Sequence, residues 1–255
     1  MCLIVLGWRV HADYPLVVAA NRDEFFARPS AAAAFWADAP PLFAGRDLEA
    51  GGTWLGITRH QRFAALTNYR EGGGQHPEAR SRGALVADFL TGDASPADYL
   101  AQVTATAAQY NGFNLFVGDG ERLGYFSNRG DGRCQWLPPG IYGLSNHLLD
   151  TPWPKLTSAK AAFTAALTTL PETAPFFELL ADREIVPDAH LPETGVPLAW
   201  ERILSAIFVW TNGYGTRAST VLSRHRDGRI RLSERGFAAD GSVAGEVDGA
   251  FFSLR

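Results

Sequence analysis

Strand-like runs in this chain come in hairpin-linked pairs, and helical stretches come in blocks between them, an order that few folds accommodate. Residues 2–10 form a short apolar run, His11 to Pro15 carry turn chemistry, and Leu16 to Asn21 are again mostly apolar. Together they spell a hairpin with a five-residue loop. Thr53 to Thr58, a polar turn at Arg59 to Gln61, and Arg62 to Asn68 spell a second. Between the two, residues 29–52 hold Pro29, Pro40, Pro41 and several glycines, and are expected to form a loop with little regular structure. Helices follow. Ser81 precedes a periodic stretch to about Leu90, and Ser95 is an N-cap followed by Pro96 at the first position of a helix reaching about Gln109. Asn114 to Gly118 and Arg122 to Ser127 flank Asp119-Gly120 in a tight hairpin, with shorter strands at Gln135 to Leu137 and Ile141 to Ser145. A second helical block covers roughly residues 153–169, 173–182 and 198–208. Strands return at Thr216 to Ser223, Arg229 to Arg235 and Ala250 to Leu254.

Hairpin-linked strands make antiparallel sheets, and two helix blocks can cover two sheets. The expected class is α+β, a four-layer αββα sandwich of two antiparallel sheets. A Rossmann domain is excluded, because strands and helices do not alternate singly and no Gly-x-Gly-x-x-Gly follows a strand. With 255 residues, 46% of them hydrophobic, the chain is expected to form one domain over residues 1–255 around a substantial core. A net charge of −4 argues against a nucleic-acid partner. No apolar run approaches a membrane span, and the start has neither a basic leader nor a small-residue cleavage site. Two cysteines, Cys2 and Cys134, cannot build a disulfide scaffold, so a reducing, cytoplasmic location is expected. The partner expected is a small-molecule substrate or ligand; oligomeric state stays open.

Cys2 carries the most chemical information. Its small side chain favours removal of Met1, which leaves Cys2 with a free α-amine. Such an amine, with a pKa of about 7.7–8.0, is partly neutral at pH 7 and can accept a proton. Thiol and base then sit on one residue, the logic of N-terminal-nucleophile amidohydrolases. A small buried hydrophobe is the structural alternative for the same cysteine. If residues 11–15 form the turn, Val10 pairs with Leu16, and Cys2 lies opposite Glu24 with Arg22 two residues along on the same face. A slip of one residue substitutes Asp23. In either register Asn21-Arg22-Asp23-Glu24 arrives beside the chain terminus, where an arginine favours the thiolate and a carboxylate can anchor the α-amine.

A set of motifs in order over almost the whole chain makes it resemble the NRDE (transport and Golgi organisation protein 2-like) family. They are Met1-Cys2, Asn21 to Glu24, Gly45-Arg46-Asp47 with Gly51 to Gly56, and Leu66-Thr67-Asn68-Tyr69-Arg70. Further along come Gly143 to His147, Thr151-Pro152-Trp153-Pro154-Lys155, and Tyr214 to Val221. The resemblance implies an N-terminal-nucleophile fold, in agreement with the αββα expectation. It extends more distantly to penicillin V acylases and bile salt hydrolases, which implies six catalytic positions here: Cys2, Arg22, Asp23, Asn68, Asn146 and Arg217. Arg22 and Asp23 are adjacent, whereas the acylase pattern separates this pair. By the same resemblance, Asn68 would donate to an oxyanion and Asn146 would hold the α-amine or substrate; strand-ending turn bonds are the alternative for both.

The activity implied is that of a hydrolase or acyltransferase on a non-peptide C–N bond, requiring no metal or cofactor. The resemblance also implies an alternative, a haem-trafficking protein without catalysis. The remaining features read as structure. Gly51-Gly52 and Gly72-Gly73-Gly74 lack the ending of a phosphate loop, and the six histidines have no zinc-ligand spacing. Trp54, Trp153, Trp200 and Trp210 are expected in the core.

Overall fold

A computed structural model describes residues 2–72 and 76–254. Its first hairpin joins β1 (Cys2–Trp8) to β2 (Leu16–Phe25). The turn is two residues longer than the sequence arithmetic gives. Arg9 adopts φ 52° and donates its N–H to the Pro15 carbonyl at 2.8 Å, so β1 ends at Trp8, which pairs with Leu16. This moves the register by two residues and places Arg22, not Glu24, opposite Cys2. Because the shift is even, the faces stay as expected.

Residues 29–52, expected to be a loop, instead supply β3 (Ser30–Trp36) and β4 (Ala39–Asp47). The prolines do not prevent this. Pro40 and Pro41 fall in the irregularity between the Trp36–Ala39 and Phe35–Phe43 pairs, where the ladder needs no donor from them. The second sheet then runs in chain order through β5 (Leu55–Thr58), β6 (Phe63–Asn68), β7 (Phe113–Gly118), β8 (Leu123–Ser127) and β9 (Gln135–Trp136). The first sheet has the order β10-β1-β2-β11-β12-β13, completed by β10 (Gly140–Leu144), β11 (Tyr214–Arg224), β12 (Arg229–Phe237) and β13 (Val243–Phe252). All pairings within both sheets are antiparallel. The last strand is much longer than Ala250 to Leu254. Most of its residues are exposed at the sheet edge, so it lacks the apolar alternation that marks a strand.

Helix α1 (Arg82–Thr91) and α2 (Pro96–Thr106) cover the second sheet; α3 (Pro154–Ala166) and α4 (Ala174–Leu180) cover the first. Ser95 caps α2 by accepting the Asp98 N–H at 3.2 Å. Residues 198–208 form a helix, α5, only over Leu198–Ile203. The N–H groups of Phe208 and Val209 are taken by the Asp182 carbonyl and the Thr216 hydroxyl, which draws the chain out of helical geometry.

Strand alternation divides the core into three. Leu3, Val5 and Ala19 pack under Leu156, Phe163 and Phe176 of the outer helices. Ile4, Leu6 and Val18 meet Ile57, Phe63 and Phe116 between the sheets. Ala64, Leu115 and Val117 meet Leu85, Phe89 and Leu100 on the other side. Three apolar interfaces separate four layers, the expected αββα sandwich. Among the described residues, no helix is long and apolar enough to cross a membrane.

Candidate active site

At one end of the sandwich, the start of β1 at Cys2 borders a cavity of about 640 Å³. Cys2, Arg22, Asp23 and Asn68 all line it. Cys2 is half-buried at the start of β1, and the pairing with β2 sets Arg22 directly across from it. Arg22 is 5% exposed. Its guanidinium lies 4.3 Å from the Trp54 ring centroid, with Nη2 3.8 Å from Asp47 and 3.9 Å from Glu24. Nη1 is buried and makes no hydrogen bond to any described residue. Asp23, 3% exposed, accepts the Thr216 hydroxyl at 2.7 Å. Asn68 ends β6 at the opposite wall, and its side-chain amide makes no hydrogen bond to a described residue.

Burial pushes the Cys2 thiol above its ordinary pKa; the charge of Asp23 adds to this, while the Asp23 backbone N–H and the Arg22 charge oppose it. Burial also raises the Asp23 carboxyl, against the charges of Lys155 and Arg70 and the Thr216 hydrogen bond. For Asp47 the balance reverses. Its partial burial is outweighed by Arg28, whose Nε lies 2.8 Å away, and by the Ala50 and Glu49 N–H groups, which hold it below the usual carboxylate range. The thiol is therefore protonated at neutral pH and needs a base before it can attack.

A buried charged layer stands behind Asp23. Arg70 and Glu201 pair at 2.6 Å, with both side chains under 5% exposed, and Thr194 donates to the same carboxylate through its N–H and hydroxyl. Lys155 is also buried and donates to the Leu204 carbonyl at 2.7 Å. Burial and the nearby Arg70 charge bring its ammonium down to about 8.

The other two expected site residues lie elsewhere. Asn146 is fully buried, and its Nδ2 donates at 2.9 Å to the backbone carbonyl of Asn68, so it braces that strand end from behind the cavity. Arg217 is the bulged residue of β11, between Thr216 paired with Asp23 and Ala218 paired with Arg22, and it lines a different, smaller cavity. Its Nη1 donates to the carbonyls of Phe25, Phe26 and Arg28 at 2.9, 3.1 and 3.0 Å, clamping the chain just after β2.

Several wall residues carried no assignment from sequence. Asp47 and Trp54 lie in motifs that single them out, and their strand neighbours deliver them to Arg22. Trp54 packs against the core between the sheets, as expected, and also lines the cavity. Trp200 and Trp210 are 39% and 50% exposed, contrary to the core expectation, because the loop around the short helix α5 holds them at the surface. Trp200 packs edge-on against Tyr214 with centroids 5.7 Å apart, and Phe25 meets Tyr214 at 5.1 Å, giving the cavity mouth an aromatic rim. Gly45 is needed for close approach, since a β-carbon there would overlap the Trp54 ring. Gly45→Ala is expected to push Trp54 off Arg22 and to cost about 1–3 kcal/mol, as overpacking does. Denaturant unfolding and tryptophan fluorescence check this; an unchanged spectrum and midpoint would refute it.

Comparison with known proteins bears on this arrangement. The family described as Transport and Golgi organisation 2 matches residues 1–239. The bovine Transport and Golgi organization protein 2 homolog is 42% identical over 240 residues, covering 87% of this chain and 86% of its own. The human homolog is 39% identical over 243 residues with the same coverages, and the Drosophila melanogaster protein is 30% identical over 253 residues, also at 87% and 86%. Among solved structures, the mutant C2A conjugated bile acid hydrolase from Clostridium perfringens superposes with TM-score 0.50 at 7% identity, over 99% of this chain and 92% of that one. That likeness extends the shared fold to the N-terminal-nucleophile hydrolases. The motifs around Cys2, Arg22, Asn68 and Arg217 sit in one matched frame, and the chain belongs to the Transport and Golgi organisation 2 family.

Proposed function

We propose that this protein is an N-terminal cysteine hydrolase or acyltransferase acting on a non-peptide C–N bond of a small molecule. The observation that carries the reading is the Cys2–Arg22 strand pair, set on one cavity with Asp23 and Asn68. A thiol raised by burial does not ionise by itself at neutral pH, so attack needs a base at hand. Once Met1 is removed, the α-amine of Cys2 is that base. It takes the thiol proton as sulfur attacks the carbonyl carbon. Asn68, whose side-chain amide makes no hydrogen bond to a described residue, donates to the oxyanion, and Arg22 supplies positive charge beside the sulfur. Collapse breaks the C–N bond, the amine carries the proton to the leaving nitrogen, and a thioester remains on Cys2. Water or a second acceptor releases the acyl group. Asp23, fixed by Thr216, orients the α-amine, while Asn146 and Arg217 position the strand ends. The aromatic rim favours substrates with an apolar portion.

The haem-carrier alternative fits the cavity less well. Its walls carry Arg22, Arg28, Asp47 and Glu49, which suit a polar guest more than the apolar faces of a porphyrin.

The test combines intact mass with thiol labelling. Protein lacking Met1 should accumulate an acyl adduct on Cys2 from a series of acyl p-nitroanilides, and Cys2→Ser should accumulate none. With Met1 removed, so that the α-amine can take the thiol proton, iodoacetamide should label Cys2 faster than Cys134, which packs against the α2 side of the core. Arg22→Ala, by removing a charge that lowers the thiol pKa, should move the labelling midpoint to higher pH. Retained Met1, or equal labelling of both cysteines with no effect of Arg22→Ala, would rule out catalysis.

A further inference from the structure

A second cavity, of about 260 Å³, lies on the far side of the Arg22–Trp54 pair and shares both residues with the first. Two guanidiniums border it, those of Arg22 and Arg217. Among the described residues, no carboxylate hydrogen-bonds either guanidinium inside this cavity, and Glu234 acts on Arg22 only through its charge at longer range. The acidic neighbours of Arg22, Asp47 and Glu24, contact its Nη2 and belong to the larger cavity, while Nη1 has no partner among the described residues. Among the described residues, Arg217 hydrogen-bonds only to neutral groups, and its Nη2 has one long contact of 3.5 Å to the Ser30 hydroxyl. Burial first, and then the Arg22 charge, lower the Arg217 pKa, against the charge of Glu24. Two glutamates line the same cavity. Glu246 pairs outward with Arg235 at 2.7 Å. Glu234 is 4% exposed, is held by the Ala33 N–H and the Thr220 hydroxyl, and is pushed by burial toward its neutral form. The remaining wall is small or apolar: Ala31, Ala32, Trp54, Ala218, Phe237 and Val247.

We propose that this cavity is a binding site for a small organic carboxylate, its anionic head between Arg22 and Arg217 and its apolar body against Trp54 and Val247. Two guanidiniums bordering one space, neither hydrogen-bonded there to a carboxylate of the described residues, offer a guest carboxylate a charged seat. The planar guanidinium forks match a carboxylate in geometry as well as charge. The volume lies below the range of about 300–1,000 Å³ usual for drug-sized ligands, so the guest is small. The site does not rest on the reading of Cys2 as a nucleophile.

The probe is 4-fluorobenzoate, followed by ¹⁹F NMR line broadening, with 4-fluorobenzamide as its neutral isostere. The carboxylate should bind saturably, at least about tenfold more tightly than the amide, equivalent to about 1.4 kcal/mol. Gly236 lies two residues beyond Glu234 on the cavity wall, and a β-carbon there meets only the Gly245 carbonyl, at 3.8 Å. Gly236→Val should therefore fill the cavity and abolish binding. Ala32→Leu, on the exposed edge strand β3, should do the same from the opposite wall should the first variant fold poorly. Equal binding of the amide, binding that survives both filling variants, or displacement by inorganic phosphate at equal concentration would each overturn the proposal. The surviving-binding result would place the guest elsewhere, and the phosphate result would show that the apolar body is not recognised.

Discussion

Asn68→Ala is expected to slow formation of the Cys2 acyl adduct about 10²–10³-fold, the usual effect of deleting one oxyanion donor. The melting temperature should barely move, because the side-chain amide of Asn68 makes no hydrogen bond to a described residue. Asn146→Ala separates chemistry from support. It removes the 2.9 Å bond from Asn146 to the Asn68 carbonyl at a fully buried position, which costs about 1–3 kcal/mol. Its adduct rate should fall too, through misplacement of Asn68. Adduct growth followed by intact mass, beside thermal unfolding of both variants, gives the comparison. If Asn68→Ala forms adduct as fast as the parent, Asn68 does not hold the oxyanion.

The second large effect concerns stability. Glu201→Ala deprives buried Arg70 of its carboxylate partner at 2.6 Å and leaves a cation desolvated, a change that costs about 3–5 kcal/mol. For a chain of this size that corresponds to a melting temperature lower by roughly 6–20 °C. Glu201→Gln, which keeps the shape and an acceptor oxygen, should fall between. A drop below about 1 kcal/mol for Glu201→Ala would mean that the pair is solvated in solution, as surface ion pairs are.

The layer order was legible in the sequence, because layer order depends on which runs are apolar and which are capped. Ser95 and Pro96 announce α2, and Asp119-Gly120 marks the β7–β8 turn, each through local backbone chemistry. The strand β13 was mostly hidden, since its inward face carries only Val247, Gly249 and Phe251 and its other positions, among them Gly245, Glu246 and Asp248, are exposed. The β3–β4 pair was hidden for another reason. Its prolines sit in a ladder irregularity, and such a position depends on the partner strand.

In the site, the Cys2–Arg22 proximity survived an error in loop length because a two-residue slip preserves the face. Glu201 was not foreseeable as the partner of Arg70. They are 131 residues apart and meet only when the segment containing α5 folds back over the end of β6. Arg217 illustrates the opposite case. Its motif is plain in the sequence, but a one-residue bulge in β11 decides which cavity its side chain borders.

The Arg22–Trp54 wall has a thermodynamic consequence. One guanidinium faces two compartments, and its field acts on whatever negative charge either compartment holds. An anion seated beside it in the smaller cavity screens the Cys2 thiolate on the other side, and an ionised Cys2 weakens that anion by an equal free energy, since linkage is reciprocal. The two compartments are thereby coupled without any movement of the backbone. An occupant of the smaller cavity would change the ionisation of a thiol it never touches.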